Sequence, residues 1–212
     1  MCSAPGGPLL TYAEPDPYMP GHTTQGGYSQ EIVVTERFVF TVPENLDKAA
    51  AAPLMCAGIT LYSPLRFWEA GPGKTVGIAG IGGLGHMGIK LAHAMGAHTV
   101  ALTTSPEKGE LAMQLGADEV ILTTDADAMK AASERFDLIV STLPSDHNMD
   151  PFLKLLNRGG TYCVVGAVGT ATHPFSLVNL MKRKRSISGS MIGSTGETQE
   201  MLDFCGKDRK SV

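Results

Sequence analysis

Residues 75–96 read TVGIAGIGGLGHMGIKLAHAMG. Thr75 to Ala79 is short and rich in β-branched residues, the pattern of a buried strand. Gly80, Gly82, Gly83 and Gly85 follow as G-I-G-G-L-G, and then Met87, Ile89, Leu91, Ala94 and Met95 fall at helical spacing. Strand, glycine turn and helix in that order open a dinucleotide-binding unit. Gly80 makes the tight turn. Gly82 lets the backbone reach a pyrophosphate that any Cβ would strike, and Gly85 lets the helix pack on the strand. The free amides at the helix start then face the phosphates, where the helix dipole favours negative charge. A glycine-rich strand–helix turn without a ligand is the alternative reading of the same residues.

Downstream the alternation repeats. Strands are expected at 98–104, 119–122, 136–143, 161–167 and 186–192. Helices are expected at 106–115, 126–134, 149–156 (ended by Gly159-Gly160), 175–181 and from Thr195 onward. Six strands alternating with helices require a parallel sheet covered on both faces, with its ligand beyond the carboxyl ends of the strands at the 80–85 loop. The fold class expected is therefore α/β, a doubly wound six-stranded sheet of Rossmann type.

Upstream, residues 1–30 are rich in Pro, Gly and Tyr and show no periodicity, so the chain reads as if cut from something longer. Glu31 to Val34 and Phe38 to Val42 read as strands around a turn at 35–37. Asn45 or Asp47 caps a helix through the alanine-rich 48–52, and an apolar helix ends near Trp68. Gly73-Lys74-Thr75 imitates the tail of a P-loop, but Trp68 occupies the place of its first glycine and a strand follows.

A net charge of −4 argues against a nucleic-acid surface. The one basic run, Lys182 to Arg185, reads as a solvated turn. No apolar stretch reaches the roughly 20 residues of a membrane span, and no leader pattern is present, so a cytoplasmic protein is expected. Cys2, Cys56, Cys163 and Cys205 form no C-x-x-C pair, which indicates neither a disulfide framework nor a self-contained zinc site.

The second strand ends in Thr103-Thr104-Ser105, where an NAD site carries an acid for the ribose 2′-hydroxyl. Hydroxyls here, with Lys108 one helical turn on, favour the 2′-phosphate of NADP(H). Glu107 is the residue against it and is expected to face solvent. The bland reading of T-S-P-E-K is a helix cap and first turn.

Five motifs in order, P-L-M-C-A-G-I-T (53–60), G-I-G-G-L-G-H-M-G (80–88), T-S-P-E-K (104–108), V-V-G-A (164–167) and G-S-M-I-G (189–193), resemble the zinc-dependent medium-chain alcohol dehydrogenases. T-Q-G-G-Y-S (24–29) fits the cinnamyl-alcohol-dehydrogenase-like group. The resemblance implies hydride transfer between NADPH and a primary alcohol or aldehyde, cinnamyl types among them, with Zn2+ in the intact enzyme. It implies a zinc thiolate at Cys56 and a residue beside the nicotinamide at Thr60. Gly80, Gly82, Gly83, Leu84 and Gly85 would form the pyrophosphate turn, and Thr104, Ser105 and Lys108 the 2′-phosphate site. Val165, Gly166, Ser190 and Ile192 would make backbone contacts to the nicotinamide half. The sixth strand, Ser186 to Met191, would pair with its twin in a homodimer.

Departures accompany the match. No G-H-E motif supplies further zinc ligands, and the four-cysteine structural zinc loop is missing apart from Cys2. The expected organisation is a remnant of a β-rich GroES-like catalytic domain over 1–55, a Rossmann domain over 56–193 and the start of a return segment over 194–212. The chain is thus expected to keep a cofactor platform and lack catalysis on its own. A non-catalytic NADP(H)-binding module is the alternative, and a zinc-free quinone reductase relative would leave Cys56 without a purpose.

Overall fold

The computed structural model describes residues 12–15, 19–27, 30–31, 34–166 and 174–207. The chain divides into two units, Met1–Thr41 and Val42–Val212. In the first, β1 (Tyr12–Pro15) and β2 (Thr23–Gln25) pair antiparallel. A 3-10 turn follows at Glu36–Phe38, with Thr35 before it and Val39 bonding back to the Glu36 carbonyl. The strand expected at Phe38 to Val42 is therefore not formed: Phe38 closes that turn, and 39–42 belongs to no strand. Of the strand expected at Glu31 to Val34, residues 32–33 lie outside the described residues, and Glu31 and Val34 are in no strand.

In the second unit Asp47 caps α1 (Lys48–Ala51), accepting from the Ala50 amide at 2.8 Å. A 3-10 turn, Ala52–Met55, leads into α2 (Ala57–Phe67). Residues 42–55 belong to this unit rather than apart from it. Leu46, Ala51 and Leu54 are buried, and the Asn45 side chain donates to the Gly206 carbonyl.

The glycine-led unit forms as its residue pattern requires. β3 (Thr75–Ala79) turns at Gly80 into α3 (Gly83–Ala94), then β4 (His98–Thr103), α4 (Pro106–Gln114) and β5 (Glu119–Leu122). After α5 (Ala126–Ala131) come β6 (Phe136–Ser141), α6 (Asp150–Leu155), β7 (Leu156–Val164), α7 (Leu177–Met181), β8 (Ser186–Gly189) and α8 (Thr195–Lys207). The sheet order is β5-β4-β3-β6-β7-β8, and every neighbouring pair is parallel. Strand order reverses between β3 and β6, so the carboxyl end of β3 is the switch point where such sheets take ligands.

Gly159 and Gly160 do not end a helix. α6 stops at Leu155, and both glycines lie within β7, where the register with β6 shifts. A Cβ on Gly160 would stand 2.7 Å from the Phe136 carbonyl, so the bulged strand runs against β6 too closely for a side chain. β8 stops at Gly189, three residues short of expectation, and Ile192, at φ +57, lies in the left-handed region rather than in a strand. β7 stops at Val164, and part of its expected tail lies outside the described residues.

β3, β4 and β6 are buried almost throughout, as strands covered on both faces must be. Val100, Leu102, Phe136, Ile139, Leu153 and Tyr162 share one core, and Ile59, Leu61, Leu65, Ile89 and Leu91 are also buried, on α2 and α3. α3 comes close to its neighbours at Gly88, where a Cβ would stand 3.1 Å from Leu61 and 3.2 Å from Ile78. Among the described residues no helix is long and apolar enough to cross a membrane.

Candidate dinucleotide site

Four constraints meet where β3 ends. Gly80 takes φ +89, a conformation that costs glycine little. Its amide donates to the Leu102 carbonyl at 3.0 Å. A Cβ there would meet the Thr142 hydroxyl oxygen at 2.8 Å and Leu143 at 3.0 Å. Thr142 Oγ1 lies 2.9 Å from the Gly80 carbonyl and 3.1 Å from that of Ala79, so its one proton ties the loop after β6 onto the turn.

Gly85 and Gly82 have opposite surroundings. A Cβ on Gly85 would stand 2.1 Å from the Gly80 carbonyl oxygen, so the helix sits on the turn only because that atom is missing. A Cβ on Gly82 or Gly83 would meet nothing within 4 Å. The first intrahelical bond runs from the His86 amide to the Gly82 carbonyl, which leaves the amides of Gly83, Leu84 and Gly85 without helical partners. No acidic residue sits in that first turn.

The open space beside these glycines is a cleft of about 380 Å³ lined by Gly80–Leu84, Lys108 and Thr142–Pro144. A second cleft, about 410 Å³, shares Gly80 and Leu143 with it and spreads over the ends of β4 and β5. Leu102, Thr103, Thr104, Thr123, Met129, His147 and Phe152 are among its walls. The His147 ring is pinned from both sides. Nδ1 is 2.9 Å from the Ser145 carbonyl, which can only accept, so Nδ1 donates there, and Nε2, 2.9 Å from the Tyr162 hydroxyl, is the acceptor for that group's hydrogen bond in the neutral ring. Burial pushes the Tyr162 phenol up to about 12 and keeps it protonated.

Ser105 caps α4: its Oγ accepts from the Lys108 amide at 3.2 Å. Its own proton goes to the Glu107 carboxylate, 2.7 Å away. That bond holds the Glu107 carboxyl below its usual range. Glu107 is exposed, as expected, yet it accepts from the Ser105 hydroxyl, one of the groups expected to meet the 2′-phosphate.

The structure thus joins Gly80, Gly82, Gly83, Leu84 and Lys108 in one cleft, with Thr104 in the adjoining one and Ser105 between Thr104 and α4. Gly85 lies behind the turn. Val165 and Gly166 both donate their amides to the Ser141 carbonyl, at 2.9 and 3.2 Å, and the Ser190 amide donates to Val164 at 3.1 Å. Cys56 is exposed before α2, and Thr60 donates to the Cys56 carbonyl at 2.7 Å. Neither lines either cleft. Among the described residues no group of three or more His, Cys, Asp or Glu stands close enough to hold a metal ion. One thiol falls short of the three protein ligands of a catalytic zinc.

Thr142, Leu143 and His147 were not foreseen from the sequence. Their one signal is position: they follow β6, which borders the switch point.

A profile of the zinc-binding dehydrogenase family matches residues 83–207. The chain belongs to the zinc-binding dehydrogenase family. Aldehyde reductase YahK of Escherichia coli (strain K12) is 58% identical over 198 residues, which are 93% of this chain and 56% of that protein. Cinnamyl alcohol dehydrogenase SbCAD4 of Sorghum bicolor superposes with a TM-score of 0.85 at 39% identity, over 94% of this chain and 57% of that one. The cinnamyl alcohol dehydrogenase of Helicobacter pylori, solved in complex with NADP(H), superposes with a TM-score of 0.82 at 38% identity, over 94% and 56%. The chain spans just over half the length of each of these dehydrogenases.

Proposed function

We propose that this chain binds NADP(H) at residues 80–85 and 104–108 and carries the nucleotide half of a hydride transfer between NADPH and an aldehyde or primary alcohol. The observation that carries this reading is the empty space over Gly82 and Gly83, bordered by the amides of Gly83 and Leu84, which have no helical partners, and by Lys108. It is the shape and charge a pyrophosphate needs. The relative solved with NADP(H) supports the same reading.

Within that reading the amides of Gly83, Leu84 and Gly85 hold the diphosphate, and Thr142 keeps the turn in shape beneath it. The second cleft takes the adenosine, with the pinned His147 ring as one wall. Thr104, Ser105 and Lys108 meet the 2′-phosphate. Val165, Gly166, Ser190 and Ile192 line the nicotinamide half. With the amides of Val165 and Gly166 occupied by Ser141, these two residues offer carbonyls, the acceptors a carboxamide NH2 requires. The bound cofactor supplies the hydride; the chain positions and shields it.

Thr60 would face the ring and Cys56 the metal. The described residues do not make up a zinc site, so no step here passes through one. We therefore expect the 212-residue chain assayed alone to bind NADPH without reducing aldehydes. A cytoplasmic location is part of the same proposal, and so is pairing of β8 with a second copy. β8 is the last strand of the sheet at that end, and Met191 and Ile192, just after it in the chain, are exposed.

Fluorescence titration of the chain with NADPH tests this directly. Saturable binding at sub-millimolar nucleotide is expected. No binding contradicts the platform, and aldehyde turnover by the chain alone contradicts the assignment of catalysis elsewhere.

A further inference from the structure

We propose that Glu107 is a specificity-determining residue that weakens this site's preference for the 2′-phosphate, by holding the Ser105 proton and keeping a carboxylate beside the hydroxyl that would meet that phosphate. The proposal rests on the reading of 104–108 as the ribose end of the dinucleotide site. It goes further in assigning a role to a residue that the reading leaves aside.

The geometry is specific. A serine hydroxyl has one proton and two lone pairs. Ser105 donates its proton to Glu107 at 2.7 Å and accepts the Lys108 amide on one lone pair at 3.2 Å. What remains for a ligand is a lone pair, which repels a phosphate oxygen. Ser105 cannot leave its place, because it caps α4 and its amide is held by the Thr103 hydroxyl at 3.2 Å. Two of the three groups that would grip a 2′-phosphate stay available: the exposed Thr104 hydroxyl and the Lys108 ammonium. The third is turned away. The Glu107 carboxyl is held below its usual range, so near neutral pH the group is an anion and the bond persists. To bind NADPH the Ser105 proton must swing from one anion to another while Glu107 stays nearby. To bind NADH nothing need move, since a ribose hydroxyl can donate to the free lone pair of Ser105.

The test measures dissociation constants of wild type, Glu107→Ala and Glu107→Gln for both NADPH and NADH. Glu107→Ala is expected to tighten NADPH by about tenfold, the scale of one charge-assisted hydrogen bond, and to leave NADH within about twofold. Glu107→Gln, which keeps an acceptor but loses the charge, is expected to fall between. Equal changes for the two nucleotides, or no change for NADPH, would overturn the proposal while leaving the site reading intact. A wild-type chain that binds neither nucleotide would overturn the site reading, and this proposal with it.

Discussion

Gly82 and Gly85 stand three residues apart in one turn and are glycine for different reasons. At Gly85 the added atom would strike the Gly80 carbonyl at 2.1 Å, so the constraint is internal to the fold. At Gly82 the added atom would enter empty space, so the fold sets no such constraint there, and the proposed nucleotide is what would. The two substitutions should therefore separate folding from binding. Gly85→Ala should lose about 2–4 kcal/mol in urea denaturation, the cost of overpacking against rigid backbone. Gly82→Ala should stay within about 1 kcal/mol of wild type, since only a cap position changes. It should still weaken NADPH by at least about tenfold, read by fluorescence titration. Equal stability losses would mean that both glycines serve the fold alone.

The sequence and the structure diverge most clearly at Arg185, which connects several elements. Lys182 to Arg185 reads as a solvated basic turn, yet the Arg185 side chain is only 5% exposed. Its Nε donates to the Leu156 carbonyl at 2.8 Å, and its two terminal nitrogens reach Asn179 and Lys154 carbonyls at 3.3 Å. Burial lowers its pKa, but an arginine so far above neutrality stays charged. Four like residues in a row give no hint that one turns inward to satisfy carbonyls at the ends of α6 and α7. Arg185→Met should cost about 2–4 kcal/mol, measured by denaturant midpoint. Arg183, on the exposed side, pairs with Glu134 and should matter far less.

Asp150 joins the same elements at their other ends. It accepts from the Ser176 amide at 2.8 Å and the Asn179 side chain at 2.7 Å. The Ser176 bond, before the Asn179 one, holds its carboxyl below the usual range. A lowered folded pKa means stability present above the ordinary aspartate value of about 3.9 and lost as pH falls through the folded value. Denaturation midpoints should drop below about pH 4 in wild type, and Asp150→Asn, which keeps the one oxygen that accepts both bonds but has no charge to lose, should flatten that drop. An unchanged slope would remove Asp150 from the acid response.

Strand–helix alternation was legible because buried parallel strands and amphipathic helices have distinct periods. The element ends at Leu155, Val164 and Gly189 were not. The bulge in β7 and the left-handed Ile192 beyond β8 leave no periodic trace. In the site, the glycines and the hydroxyl–lysine pair were legible as motifs. Thr142 and His147 were not, because only the sheet order brings the loop after β6 against the turn after β3.

At the scale of the molecule, the proposed site is one continuous dinucleotide surface across the carboxyl end of the sheet, with its switch point at Gly80. Binding should then stabilise the whole second unit by mass action, raising its melting temperature with NADPH concentration. The most direct measurement is a map of backbone amide shifts in the 15N-labelled chain as NADPH is added to roughly 1 mM. The account predicts the largest changes at Gly82–Gly85 and Lys108, with a second group at Thr104, Thr123 and His147. Shifts centred elsewhere on the chain, or none at that concentration, would contradict it.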